Sequence, residues 1–583
     1  MNILASANSL LAEVALSVAV APSATAVGGE VLVNVLNHKA IVELGSAAVE
    51  SLGGNVTVHS SGEDTAVIVG VAAGASGTGN TVSGTIPVTV STNAIETRVG
   101  AGSQITAFDS VDISADLQAL YALAAGGISV GTTGVGATVG TLVLSNSVLT
   151  TVETGSRITA KTYDSGSSIL QNRYNRRRGV NISANARETV VMAEVSAAAG
   201  TGNAITGTVA TLVVSNQVKA EIGDAVTVTV GVEGDKDSEE GDLSVDASDD
   251  TFVVEFAGAL SAAGSVGVGA TVVVGVFDKN VKASVGNSGS VNASGTVSVT
   301  AENKSTLDLL AVAFGASGST AVAGDVNALV FMNSTQASLG GNVTGANAIR
   351  VRANDDSKLL NIGIGVAASG AAAVTAVAVV TYFENKTLAQ VLDKALLQAG
   401  NGGVEVIAVS REFVSGDAAG MSGGGTAGVG GTLDVVVLRF RTEALTGSNV
   451  TIRTTGDLTV RAEDNYGLVA AVVTLAASGT AAVGVNALVS VSFATVRAAI
   501  GVENTVEARN VTVQGSSQRD LLSVSASVAG SGVAAVGVNL SVVVAGALMS
   551  RDAHDSLYGT VENGGSTYTL YTFTPKDSGS VTL

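Results

Sequence analysis

Three histidines, His38, His59 and His554, are the only imidazoles in the chain, and cysteine is absent. A Ser/His/Asp relay or a zinc centre needs several such groups to converge, and these three fall in different stretches without a recurring partner. His554, between Asp552 and Asp555, reads as a solvated turn. Lack of thiols removes any disulfide framework, thiolate metal ligand or cysteine nucleophile. Carboxylates are more regular: Asp116, Asp249, Asp250, Glu302, Asp355, Asp356, Glu463 and Asp464 each follow a short alternating motif. Stacked in space they would form an oxygen-rich column, and such columns can bind calcium. The G-G-x-G-x-D nonapeptide of calcium β-rolls is missing, and Asp is common at turns for local reasons. The expectation is therefore solvated turn charge and no resident cofactor, with calcium as the competing reading. Clustered carboxylates also serve glycosidases, but the eight Tyr and eleven Phe scatter along the chain and offer no sugar platform. No catalytic residue is assigned, and the chain reads as a non-enzyme.

The sharpest local feature is SGSSILQNRYNRRRG (165–179), which gathers Arg173, Tyr174, Arg176, Arg177 and Arg178 on a chain of net charge −20. Such a segment could engage a sulfated glycan or anionic headgroups, be cut by a trypsin-like protease, or simply be a solvated loop. The excess of 49 acidic over 29 basic residues repels polyanions, so nucleic acid is excluded as a partner. The glycine-rich GMSGGGTAGVGG (420–431) lacks the Lys-Ser/Thr of a phosphate loop and reads as a turn.

These residues must be positioned by something unusual, because 583 residues include 72 Gly and only 3 Pro, are 46% hydrophobic and only 13% charged. That is too apolar for disorder and half the charge of an ordinary soluble domain. The pattern apolar-x-apolar-x-small recurs from Ile3, Val56, Val111, Val180, Leu243, Val297, Ile349, Val404, Leu458 and Val511, at intervals of 53, 55, 69, 63, 54, 52, 55, 54 and 53 residues. A Ser-Gly pair begins 20 residues after five of these starts, at Ser76, Ser317, Ser369, Ser478 and Ser531. Within one unit VSVTA reads as a strand, ENKS as a polar turn, LDLLAVAFGA and TAVAGDVNALVF as long apolar strands about Ser317-Gly318, and MNSTQASLGGNVTGAN as a polar close, about four strands in all. Strands apolar on both faces must be covered on both, which stacked units would do. The fold expected is all-β: a β-solenoid, parallel β-helix-like, of about ten repeats of about 54 residues, forming one continuous domain over 1–583. Ser-Gly hairpins would make part of it antiparallel. Two rungs per unit and one wide rung both fit.

Uncharged runs between Asp464 and Arg497, and between Asp520 and Arg551, are long enough to cross a bilayer as helices. Their β-branched and glycine-rich composition, the Ser-Gly breaks and the missing aromatic belts argue for strands instead; a transmembrane barrel is disfavoured for want of girdles and of one polar face per strand. The two long intervals place insertions at one point of the unit, 165–179 and GVEGDKDSEEG (231–241), and TLAQVLDKALLQAGNGG (387–403) there has helical periodicity. Insertions on one edge of a stacked repeat often form its binding face. LLAEVALSVAVAPSATA (10–26) imitates a signal peptide but contains Glu13 and aligns with the repeat. With no polar capping unit at either end, the chain reads as part of a longer protein.

Units of the form VxVxA, polar segment, LLAVAxGASGxxAVxGxVNxxV, best formed at Val297–Met332 and Leu458–Ser492, resemble the repeats of the leukotoxin-like large filamentous adhesin family of Gram-negative bacteria. The resemblance implies a secreted or cell-surface β-helical exoprotein, exported through an outer-membrane transporter, adhesive toward a receptor or glycan on a host or neighbouring cell. The function expected is an adhesive shaft that binds through its edge insertions. Alternatives are a cytotoxin acting on host cells, a β-helical carbohydrate-active enzyme, and a matrix fibre that self-associates through exposed strand edges.

Overall fold

The computed structural model describes residues 1–163, 178–231 and 241–546, together with the backbone of 560–563 and 566–569. Period-two alternation governs almost the whole chain. In the unit that begins at Thr296, one strand runs unbroken over Thr296–Ser317, a second over Thr320–Leu339, and a short third opens at Asn342. Each long strand pairs in parallel with its counterpart one unit later: Val297 with Ile349 and Ala321 with Ala373. The register repeats from unit to unit, so 25 strands join in one hydrogen-bonded system in which every pairing is parallel. The chain is thus an all-β solenoid in which one unit makes one wide coil. We number the coils 1–10 by their motif starts and call the three sheets the first (long), the second (long) and the third (short).

Several expectations change. ENKS is not a turn: Glu302 to Ser305 lie inside the 22-residue strand Thr296–Ser317, because inward Asn303 and Ser305 find polar partners inside the solenoid. The coil therefore has two long strands and one short one instead of four. Ser-Gly does not close a hairpin; it carries the chain from the first sheet to the second, and the one antiparallel pair described, Thr560–Asn563 with Ser566–Thr569, lies apart from the solenoid. The segment 387–403 is not helical. It completes the strand Ala372–Val391, turns, and enters Leu396–Gly424, since unpaired backbone in the adjoining coils templates strand there and overrides local periodicity. Gly425-Thr426 does turn the chain, between Gly424 and Ala427. No helix occurs among the described residues, so none is long and apolar enough to cross a membrane.

Between the long sheets the interior is layered. In coil 6, Val297, Val299, Ala301, Ala337 and Leu339 fill the end nearest the short sheet. Next comes a polar layer of Asn303, Ser305, Asn333 and Thr335, all buried. Leu307, Leu309, Ala311, Leu329 and Phe331 form a second apolar layer, Asp325 and Asn327 a second polar one, and Ala313, Ala321 and Ala323 close the narrow tip beside Ser317-Gly318. Aromatic rings stack along the axis through Phe277, Phe331, Phe383, Phe440 and Tyr466, with centroids 5.9, 5.0, 5.0 and 5.0 Å apart. The aromatics thus do not all scatter. Phe277, Phe331 and Phe383 each fall 34 residues after Leu243, Val297 and Ile349, a recurrence that register counting would have found.

The outer faces hold a second surprise. Outward Val, Ile, Leu, Phe and Met in the tip half of both long sheets are uncovered, including Ile128, Leu260, Met421, Val326 and Leu433. The strands are not sandwiched on both sides: half of each outer surface is bare apolar sheet.

Candidate functional site

The buried polar layer is where the chain concentrates its chemistry. Parallel register aligns one second-sheet position through His38, Asn93, Asn146, Asn216, Lys279, Asn333 and Asn385. Identical amides one coil apart bond to each other: Asn93 Nδ2 donates to Asn146 Oδ1 at 2.8 Å, Asn146 to Asn216 at 3.1 Å and Asn333 to Asn385 at 2.9 Å. Facing them from the first sheet are Asp64, Glu188, Asp249, Thr251, Ser305, Asp355, Glu412 and Asp464, all buried.

The acidic residues expected at turns divide by strand alternation. Asp249, Asp355 and Asp464 point inward and are closed from water. Asp250, Asp356 and Glu463 point outward and pair with Arg187, Lys358 and Arg461, Glu302 is exposed, and Asp116 accepts from Asn185 at 2.6 Å. Solvated turn charge is therefore the wrong description of the inward three. Asp355 accepts from Asn303 and Asn333 at 2.6 Å each, Ser357 at 2.9 Å and Asn385 at 3.0 Å; burial still outweighs these bonds and lifts its pKa to about 6. Glu188, raised by burial and by the neighbouring Asp249 charge, reaches about 7. Burial also pushes Asp464 to about 7 and Glu412 well upward, the latter helped by Asp464 and Asp355.

Coil 5 breaks the amide ladder with a cation. Lys279 is fully buried, pairs with the equally buried Asp249 at 3.4 Å, and donates to Thr251 at 2.9 Å and Ser305 at 2.8 Å. An ammonium buried there is tolerable only because a carboxylate and two hydroxyls surround it.

A second group of acids, Glu194, Glu255, Asp325 and Asp434, lies buried nearer the tip; among the described residues the side-chain oxygens of Glu194, Glu255 and Asp434 have no hydrogen-bond partner, and Asp325 is approached only by the backbone N–H groups of Ile364 and Val326. Burial raises Glu255 and Asp325 to about 8 and Asp434 to about 7, and raises Glu194 well above its usual range. At neutral pH Glu255 and Asp325 are mostly protonated, which lets them persist in an apolar interior. Space for three acids comes from glycine on the facing strand: a Cβ on Gly140 would stand 2.4 Å from Glu194 Oε1, one on Gly363 2.4 Å from Asp325 Oδ2, and one on Gly416 3.1 Å from Asp434 Oδ1.

The two described histidines do not meet. His38 lies inside coil 1, its Nδ1 3.1 Å from Asn93 Oδ1 and 3.3 Å from Asp64 Oδ2. Ser9 and Ser91 donate to that same Asp64, at 2.8 and 3.0 Å, whereas a nucleophilic relay needs the hydroxyl on the imidazole. His59 faces outward, 2.9 Å from Ser114 Oγ. Among the described residues no group of three or more His, Asp or Glu is placed to hold a metal ion.

Of the basic segment, Arg173, Tyr174, Arg176 and Arg177 lie outside the described residues, as does His554. Arg178 anchors the segment's end: its Nε is 3.1 Å from Asp109, which is 1% exposed. The flanks of both insertions emerge at one corner of adjoining coils, tied by Asp242 N donating to Arg178 O and Gly231 N to Ala160 O, each at 2.9 Å. Comparison with protein families, with curated proteins and with solved structures returns no match in any of the three.

Proposed function

We propose that the chain is the adhesive shaft of a secreted or cell-surface filamentous protein, a support whose chemistry is inward and structural and whose binding is carried by the insertions at one corner. The observation that carries this reading is the common register: ten coils stack strand on strand, and the polar layer of Asp355, Asn333 and Asn385 spends its hydrogen bonds between coils, closed from water. Repeats of this kind build extended supports whose inserted loops lie on one face. The partner proposed is a receptor or glycan on a host or neighbouring cell, with an outer-membrane transporter as the export route. A cysteine-free chain suits such a route, since no disulfide can trap it before passage.

The test is direct. Negative-stain images should show flat slabs about 70 Å broad and about 20 Å thick, and deleting 164–177 and 232–240 together should abolish cell binding while leaving β-sheet circular dichroism intact. Compact globules, or unchanged binding after the deletion, would overturn the reading.

A further inference from the structure

The outer face of the first sheet is sorted by charge along its strands. Near the short sheet it carries Arg187, Asp250, Glu302, Lys304, Asp356, Lys358 and their neighbours. Over the last five outward positions before the Ser-Gly corner the face becomes apolar in coil after coil: Asp308 is followed by Leu310, Val312, Phe314 and Ala316 in coil 6, and coil 7 reads Leu360, Ile362, Ile364, Val366 and Ala368. Asp308 and Asp417 are the only outward charges in this band among the described residues, and both stand in the two columns farthest from the tip. Nine residues at ~3.3 Å and seven coils at ~4.8 Å give a band of roughly 30 by 34 Å, on the order of 1,000 Å². Ordinary monomers expose contiguous apolar patches of at most ~300–600 Å², whereas a stable interface covers ~800 Å² per partner.

We infer that this band is a pairing surface for a second copy of the chain, packed face to face through the tip halves of the first sheets. Relief across the band is self-complementary. One outward column reads Ile128, Ala197, Leu260, Phe314 and Val366 in coils 3 to 7, and Ala197 floors a shallow depression walled by Ile128 and Leu260 and bordered by Phe314. A two-fold axis lying along the strands over coil 5 exchanges coils 4 and 6. It brings Leu260 onto Leu260 of the other copy and sets Phe314 into the depression at Ala197, as an isologous contact requires. The same axis lays the apolar half of one copy on the apolar half of the other and places the charged halves opposite each other beyond the apolar contact. A bilayer fits less well, because the band has no aromatic girdle in a chain without tryptophan. This pairing is face to face, distinct from growth at strand edges, and does not depend on the adhesive reading.

Because the chain has no cysteine, a single thiol reports the contact cleanly. Leu260→Cys should form a covalent dimer under mild oxidation, and Val272→Cys, outward in the same coil on the second sheet, should not. In sedimentation equilibrium the unmodified protein should be dimeric, and Leu260→Glu with Phe314→Glu should raise the dimer dissociation constant by ~100-fold or more with unchanged circular dichroism. If that variant misfolds, the cysteine pair still decides. Three results would overturn the proposal: a monomer at tens of micromolar, cross-linking through Val272→Cys instead, or flotation of a monomeric protein with phosphatidylcholine–phosphatidylglycerol vesicles that Leu260→Glu abolishes.

Discussion

Replacing Lys279 by methionine tests the interior most sharply. The side chain keeps nearly the same volume, so the interior is little disturbed, but the ammonium is lost from a site with no access to water. Asp249 keeps Thr251, which donates at 3.1 Å, and a long contact with Asn216 at 3.3 Å, while the cation paired with it disappears. Breaking a buried pair from one side costs about 3–5 kcal/mol. Here the upper half of that range applies, because Thr251 and Ser305 also lose a donor. At 1.4 kcal/mol per decade this is roughly a 700- to 4,000-fold rise in the local opening constant. Coils in a solenoid touch only their neighbours, so the effect should stay local. Native-state hydrogen exchange should show amides of coils 4 to 6 losing protection by that factor and amides of coils 8 and 9 unchanged. Adding Asp249→Asn should recover most of the loss, because the orphaned charge goes with it. A uniform loss across all coils, a change under tenfold, or no recovery in the double variant would refute the reasoning.

Other consequences are as definite. Glu188, Asp434 and Asp464 at about 7 and Glu255 and Asp325 at about 8 hold protons in the fold that the unfolded chain releases near pH 4. The folded state binds more protons through that window, so stability falls as pH rises from about 4 to about 8; a urea midpoint that is flat or rises between pH 5 and 8.5 would contradict this. Gly140→Ala should cost about 1–3 kcal/mol by driving a methyl into Glu194, and pairing it with Glu194→Ala should restore the urea midpoint. Gly84→Ala, whose nearest neighbour is 3.6 Å away, should be nearly silent. In coils 2 to 9 the corner before the short sheet takes one left-handed residue, Gly102, Gly155 and Gly341 in three coils and Ala225, Ser288, Lys394, Asn449 and Glu503 in the other five. Lys394→Gly should therefore stabilise by ~0.5–1 kcal/mol, the left-handed penalty of ~1–2 less the entropy glycine adds to the unfolded chain; a lower melting temperature would contradict it.

Period and strand character were legible because they are written locally, in VSVTA, IRVRA and LTVRA and in the constant Ser-Gly offset. The interior polar layer was not, for a physical reason. Asn303 and Asp355 look like turn residues when read with their neighbours, and become strand residues only when bonded to each other across 52 positions. The same holds for Asn93 and Asn146, whose partners lie a whole coil away. Thr387 to Gly403 misled in the opposite sense, since its leucines are spaced as on a helix, while the flanking coils offer strand backbone on both sides. Outward apolarity was visible in composition but was assigned to buried faces. Only the pleat shows that Leu310, Val312 and Phe314 point away from the interior.

One wide coil per unit sets the mechanics of the chain. Each coil is ~70 Å broad along its 22-residue strand but adds only ~4.8 Å of height, so ten coils rise ~48 Å and the solenoid is broader than it is tall. Its cross-section is a plank, and flexural rigidity grows with the cube of the dimension lying in the plane of bending. With two sheets ~10 Å apart plus outer side chains, ~20 Å in all, resistance to bending edgewise exceeds that flatwise by about tenfold. Under shear such a chain sways in one preferred plane, and that plane fixes the direction in which the corner carrying both insertions can swing.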